Sequence, residues 1–362
     1  MLQFKYPGVY TQEIPSGVRT ISGAPTSVAL FVGPTLTGID GRPTRIQNFG
    51  DFERNFGGLS SKSNLSYSVL HFFANGGGEA FVIRVRIDGS ITATTDLQED
   101  GSTAKSLTLT ALSSGLGGND IYIEIDPFEI GAKPYAAGET KTSYNLSLFN
   151  PVTGQTERFG DLKMASGQAR SADAIVNDPS SGSKLLRLTP VFTKNRPEPT
   201  GSVYAVGTLP PAVLPAAANF PLDVVLNVAV SVLDAAGAPA VPLSVAATTV
   251  TVFKAGTPKP QTPLEFVTRF IAAINAELRA SPSAATALEG VAIEAELFEG
   301  GKLFRLRTAA PGPQAPTKRL HEAIVQLTDV ATAAAGTEKF STAVFALSEK
   351  VANPSRYRLG AP

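Results

Sequence analysis

The sequence predicts an α+β multidomain protein: a small α/β core unit, an inserted antiparallel β-rich domain and a second α+β domain. Three observations carry this reading. Residues 27–86 run strand, helix, helix, strand, with glycine stops between them. From about residue 93 the pattern turns to period-two alternation broken by turn-rich loops. After residue 201 an Ala/Pro/Val-rich stretch leads into one strong amphipathic helix and further strands. At 362 residues the chain also exceeds the usual size of a single core. The expected division is an extended N-terminal arm at 1–20, the α/β unit at 21–92, the β-rich insertion at 93–200, the outer α+β domain at 201–340 and a return segment at 341–362.

The opening KYPGVYTQEIPSGV (5–18) mixes prolines, glycines and β-branched residues without an apolar block, so it reads as extended and has none of the layout of a secretory signal. SVALFVG (27–33) is a short apolar run ending at Gly-Pro, the pattern of a buried strand. In NFGDFERNFGG (48–58), Phe49, Phe52 and Phe56 fall at helical spacing and Gly57 supplies a stop. A second helix is expected over 64–75, with Leu65, Val69, Phe72 and Phe73 on one face. Gly76, Gly77 and Gly78 end it, and AFVIRVR (80–86) returns as a strand.

SLTLTAL (106–112), IYIEI (121–125), YNLSLF (144–149) and KLLRLTPV (184–191) are the strands expected in the insertion. Ile121, Ile123 and Ile125 face inward, which puts Tyr122, Glu124 and Asp126 on a solvated face. Further on, strands are expected at 223–233 and 248–255. A helix follows at 262–278, where Thr262 and Glu265 form a capping box, Pro263 takes the first helical position and Phe266, Phe270, Ile274 and Leu278 form a stripe. Strands at 290–299 and 302–308 join through Gly300-Gly301 as a hairpin, and RLHEAIVQL (319–327) reads as another helix.

Composition narrows the function. Charged residues are 17% of the chain, below the usual quarter or so, and 31 basic residues balance 31 acidic ones. A chain without net charge is poorly suited to holding nucleic acid through its phosphates, while its copies repel one another weakly. With no cysteine, disulfides, thiolate nucleophiles and Cys-bearing metal sites are absent. No run approaches the roughly 18–20 uninterrupted apolar residues of a membrane helix, so no direct membrane insertion is expected.

Motifs of chemistry do not assemble. GGLSSKS (57–63) lacks a phosphate loop's glycines, since Ser61 and Phe56 hold those positions, and NGGGE (75–79) lies between helix and strand, the reverse of a nucleotide turn. His71 has Asn75 four residues on and reads as a partly buried structural histidine. His321-Glu322 has Val325 where a zinc helix needs its second histidine. Asp120, Glu124 and Asp126 read as a decorated β surface, and the Asn64 and Asn145 glycosylation patterns carry no weight without a secretion signal. The expectation is a non-enzymatic protein with no catalytic, cofactor or metal residue.

Four blocks in order, YPGVYTQEIPSG, TSVALFVG, FGDFERNFGG and SYSVLHFFANGGGEAFVIRV, together resemble the tail sheath protein family of myophages and phage-like contractile injection systems. SLTLTALSSGLGGNDIYIEID is similar to that family's next segment, and NPSRYRLGAP to the junction before its closing domain. The resemblance implies a structural subunit that polymerises with copies of itself around an inner tube protein, between a baseplate and a terminator or cap, and contracts to drive the tube through a target envelope. It also implies a virion tail or phage-like particle assembled in the bacterial cytoplasm. Neighbours in such sheaths exchange terminal arms that add strands to a shared sheet. Here the arm would use Tyr6, Pro7, Gly8, Val9, Tyr10 and Ile14, and for this chain seen alone it is expected to be disordered or folded back. The family continues past NPSRYRLGAP, so the chain is expected to be a fragment or a shortened paralogue. The competing reading, a β-rich surface or adhesin-like binding protein, rests on the polar β block and the Ala/Pro-rich middle.

Overall fold

The computed structural model of the chain describes residues 28–119, 121–127, 141–151, 153–205, 218–234, 245–298, 303–309 and 318–360. They form the α+β, multidomain arrangement that the alternating patterns predict.

The first unit holds β1 (Val28–Gly33), β2 (Thr44–Ile46), α1 (Phe49–Phe56), α2 (Asn64–Ala74) and β3 (Glu79–Arg84). Its sheet has the order β1-β3-β2, with β1 parallel and β2 antiparallel to β3. The Asn48 side chain caps α1 by accepting from the Asp51 amide at 2.8 Å, and Gly57 ends the helix at φ 83°, a backbone that other residues adopt at a cost. Phe49, Phe52 and Phe56 stack in sequence along α1, and Phe52 and Phe56 are buried with Leu65 and Val69 of α2 against Ile46, Ala80 and Val82.

The β-rich unit contains β4 (Thr92–Gln98), β5 (Lys105–Ser114), β6 (Tyr122–Pro127), β7 (Ser143–Asn150), β8 (Gln155–Lys163), α3 (Ala172–Val176) and β9 (Leu186–Pro190). Two antiparallel sheets, β4-β5-β9 and one built on β6-β7-β8, share a core. Leu107, Leu109 and Leu188 come from the first sheet, and Ile123, Ile125, Leu146 and Leu148 from the second. The inward placement of Ile121, Ile123 and Ile125 matches the alternation.

The outer unit comprises β10 (Ser202–Ala205), β11 (Asp223–Asp234), β12 (Val245–Phe253), α4 (Pro263–Ala280), α5 (Pro282–Leu288), β13 (Ile293–Phe298), β14 (Leu303–Thr308), β15 (Lys318–Thr328), β16 (Thr337–Lys339), α6 (Phe340–Ala343) and β17 (Ser348–Ala352). One sheet runs β13-β14-β10-β17 and the other β12-β11-β15, with β16 beside β11. The Glu265 amide donates to Thr262 Oγ1 at 3.1 Å, while the Glu265 carboxylate accepts from the Gln261 amide at 2.9 Å, one residue earlier than the usual reciprocal bond. The predicted stripe Phe266, Phe270, Ile274 and Leu278 is buried in full, against Phe304 and Phe340.

The expected helix at 319–327 is a strand. In β15, Ile324 faces Ser231 while Arg319 faces Leu233, so two steps on β11 span five on β15. That bulge brings Leu320 and Ala323 into the same core, and the resulting three-residue spacing mimics a helical stripe. The chain then returns to the β-rich unit. A last strand, β18 (Tyr357–Arg358), pairs with β6, and Leu359 is buried in that unit's core. Thr95 Oγ1 donates to Arg358 O and accepts from the Gly360 amide, both at 3.0 Å.

Candidate assembly surface

The strand β1 is apolar at every position before Gly33, yet its exposure alternates along the strand. Ala29 and Phe31 point to the helices, with Ala80 and Val82 of β3. Leu30 sits beside Phe81 and Val32 beside Ile83 in the parallel register, which puts these four on the opposite face. There Val28 is 48% exposed, Leu30 60% and Val32 58%. Val85, Ile87 and Ile91, just beyond β3, are also exposed. Among the described residues the helices cover one face of this sheet and nothing covers the other. The sequence reading of 27–33 as a buried strand is therefore half right. Strands apolar on both faces need two covers, and only one pair of helices lies within 27–86, which is the signal that reveals the bare face.

The strand's free edge adds to this. Among the described residues β1 pairs only with β3, so its other edge offers unpaired amides and carbonyls. At the far side of the face Arg45 forks onto Glu79 at 2.7 and 3.0 Å. The side-chain hydrogen bond between them raises the guanidinium's pKa and lowers the carboxyl's. The unit is held to the β-rich unit through buried Arg84, which pairs with Asp40 and donates to Ser114 O at 2.9 Å and Ser114 Oγ at 3.1 Å. The Ser114 amide donates to Asp40 at 3.2 Å. Nothing in the local pattern around Arg84 marks this junction, because its partners lie 30 or more residues away in sequence.

The arm residues Tyr6, Pro7, Gly8, Val9, Tyr10 and Ile14 lie outside the described residues. Glu124 and Asp126 do share a strand face, but it is a contact between units rather than a solvated surface. Arg305 pairs with Asp126 and Glu296, both at 2.5 Å, and Arg356 with Glu124 at 2.6 Å. Arg307 reaches Glu124 and Glu294 at 3.4 Å. The period-two pattern gives the face correctly and cannot supply what packs on it. His321 is buried between units, its ring stacked on Tyr122 with centroids 4.2 Å apart, and burial, with the nearby Arg356 charge, holds its pKa at about 4. His71, expected partly buried, is exposed, because the Leu65–Val69 stripe turns it outward.

Among the described residues no group of three or more His, Asp or Glu is placed to hold a metal ion, and no helix is long and apolar enough to cross a membrane.

No protein-family model matches the chain, and no curated protein matches it. Solved structures of two sheath tail proteins are similar to parts of it. With the one from Desulfitobacterium hafniense the identity is 16%, over 53% of this chain and 38% of that one, at a TM-score of 0.27. With the one from Listeria innocua the identity is 14%, over 73% of this chain and 43% of that one, at a TM-score of 0.29. The overlaps reach less than half of either of those chains, and at these scores they establish no family and carry no residue's role across.

Proposed function

We propose that this chain is a structural subunit of a contractile sheath, assembling with copies of itself around an inner tube and contracting to drive that tube through a target envelope. The observation that carries the reading is the bare face of the first sheet. Leu30 and Val32, flanked by Phe81 and Ile83, sit on a free edge strand that begins a few residues after the proline-bearing arm expected at 1–20. Burying one such side chain fully is worth roughly 1.5–3 kcal/mol relative to leaving it exposed, so a continuous strip of them is a surface awaiting a partner. A second copy is the occupant favoured by the balanced charge, 31 basic against 31 acidic residues, and by the match of edge strand to extended arm. The blocks at 6–17, 26–33, 49–58 and 66–85 that resemble sheath proteins include both parts of this surface.

The test is negative-stain microscopy of the chain co-expressed with its tube protein, for wild type, a deletion of residues 1–20 and a Leu30→Lys/Val32→Lys variant. Ordered tubes from wild type, and their loss in both variants with the thermal transition kept, are expected. Tubes that persist in both variants would remove the arm and the face from assembly. A wild type that stays monomeric and binds a glycan or surface ligand would favour the adhesin-like reading instead.

A further inference from the structure

A cleft of about 310 Å³ opens between the first unit and the β-rich unit, within the size range of small-ligand sites. Its cationic lining residues are Arg42, Arg45, Arg54 and Lys184, and among the described residues that line it there is no carboxylate. Arg45 is neutralised by Glu79, and Arg54 pairs with Asp51. Arg42 and Lys184 differ. Arg42 Nη2 donates to the Pro179 carbonyl at 2.8 Å and Lys184 Nζ to the Ser180 carbonyl at 3.2 Å. Both therefore touch backbone of one turn and form no ion pair with a carboxylate among the described residues. Nearby acids are already engaged: Asp178 Oδ1 accepts from the amides and hydroxyls of Ser180 and Ser181. The Glu157 carboxylate accepts from the Lys184 amide, Ser183 Oγ and Gln155 Nε2.

The second observation lies among the other lining residues. The hydroxyl oxygens of Thr37 and Ser113 are buried without a hydrogen-bond partner, and Ser113 is only 9% exposed. An unmade hydrogen bond at a buried hydroxyl costs on the order of 1–3 kcal/mol, so such atoms ask for a partner. We propose that this cleft binds a tetrahedral oxyanion of the phosphate type, held by Arg42 and Lys184 and by the Thr37 and Ser113 hydroxyls. These donors come from both walls, the first unit and the β-rich unit. A tetrahedral anion presents oxygens in several directions, whereas a carboxylate's two coplanar oxygens suit a single guanidinium fork. Occupancy would bridge the two units beside the Arg84 junction and stiffen the base on which the bare face stands.

The experiment is a ³¹P linewidth titration of inorganic phosphate against the full chain, with chloride at matched ionic strength as the control. Saturable broadening is expected, displaced by sulfate. It should weaken at least about tenfold in an Arg42→Gln/Lys184→Gln variant, whose substituted side chains are exposed. Ser113→Ala, which breaks no existing side-chain hydrogen bond, is expected to weaken it several-fold with an unchanged unfolding midpoint, and it carries the test should the double variant fail to fold. The absence of saturable broadening, equal binding by the variants, or displacement by acetate as effective as by sulfate would each overturn the proposal.

Discussion

The first unit and the outer unit solve the same packing problem to different degrees. In the outer unit α4 lies against strands of both sheets, and Phe266, Phe270, Phe304, Phe340 and Phe345 form one aromatic cluster with nothing apolar left over at its centre. In the first unit α1 and α2 bury one side of a three-stranded sheet and leave Leu30 and Val32 on the other. Among the described residues the outer unit buries its aromatic core within its own chain and exposes apolar side chains only singly, as at Leu222 and Leu264. The first has the composition of a two-sided core and the cover of a one-sided one. Self-sufficiency and incompleteness in one molecule mark where stability resides and where association is to be sought.

Substitutions sharpen this contrast. The largest effect is expected at Phe270, fully buried among aromatic neighbours, where Phe270→Ala should cost about 4 kcal/mol by urea denaturation of the isolated chain. Next comes the contact between the outer and β-rich units. Arg305→Ala leaves Asp126 and Glu296 without their closest cation, and a loss of about 3 kcal/mol is expected. That is the low end for a buried pair, because Asp126 keeps Arg307 at 3.8 Å.

Acid tests the same contact. The His321 pKa is lowered from 6.5 to about 4, so the unfolded chain takes up its proton first. The stability this histidine contributes is whole above pH 6.5 and is lost as pH falls toward 4, by an amount on the order of 3 kcal/mol. His321→Phe keeps a ring over Tyr122 and should flatten that part of the denaturation-midpoint profile between pH 6.5 and 4. The smallest effect is expected on the bare face. Leu30→Ser in dilute monomer should shift stability by no more than about 0.5 kcal/mol. A large loss there would mean that the face is already covered within the subunit and would break the comparison.

Local chemistry made much of this fold legible. The Thr262 cap, Pro263 and the Phe266–Leu278 stripe define α4 from neighbours within a turn or two, and the isoleucines of 121–125 declare their face by alternation. What escaped depends on distant partners. The bulge opposite Ser231 turns β15 into a counterfeit helix stripe. The carboxylates of Glu124 and Asp126 look solvated until Arg305, Arg307 and Arg356 arrive from about 180 to 230 residues later. Of the candidate surface, the apolar strand at 27–33 was visible, and its bare side could be read only by setting its two apolar faces against the single helix pair within 27–86. One strand's residues do not tell how many layers will cover it. The cationic cleft shares that limit, since its walls come from two units.

Thr95 has a consequence for the chain as a whole. Its hydroxyl ties the start of the β-rich unit to Arg358 and Gly360, so the path out and the path back lie side by side although Thr95 and Arg358 are 263 positions apart in sequence. A detour whose ends already touch imposes little loop-closure entropy on what precedes it. The β-rich and outer units together therefore behave as a cassette. Their entry and exit meet at this one paired seam, while the Arg84 junction joins the β-rich unit to the first unit separately.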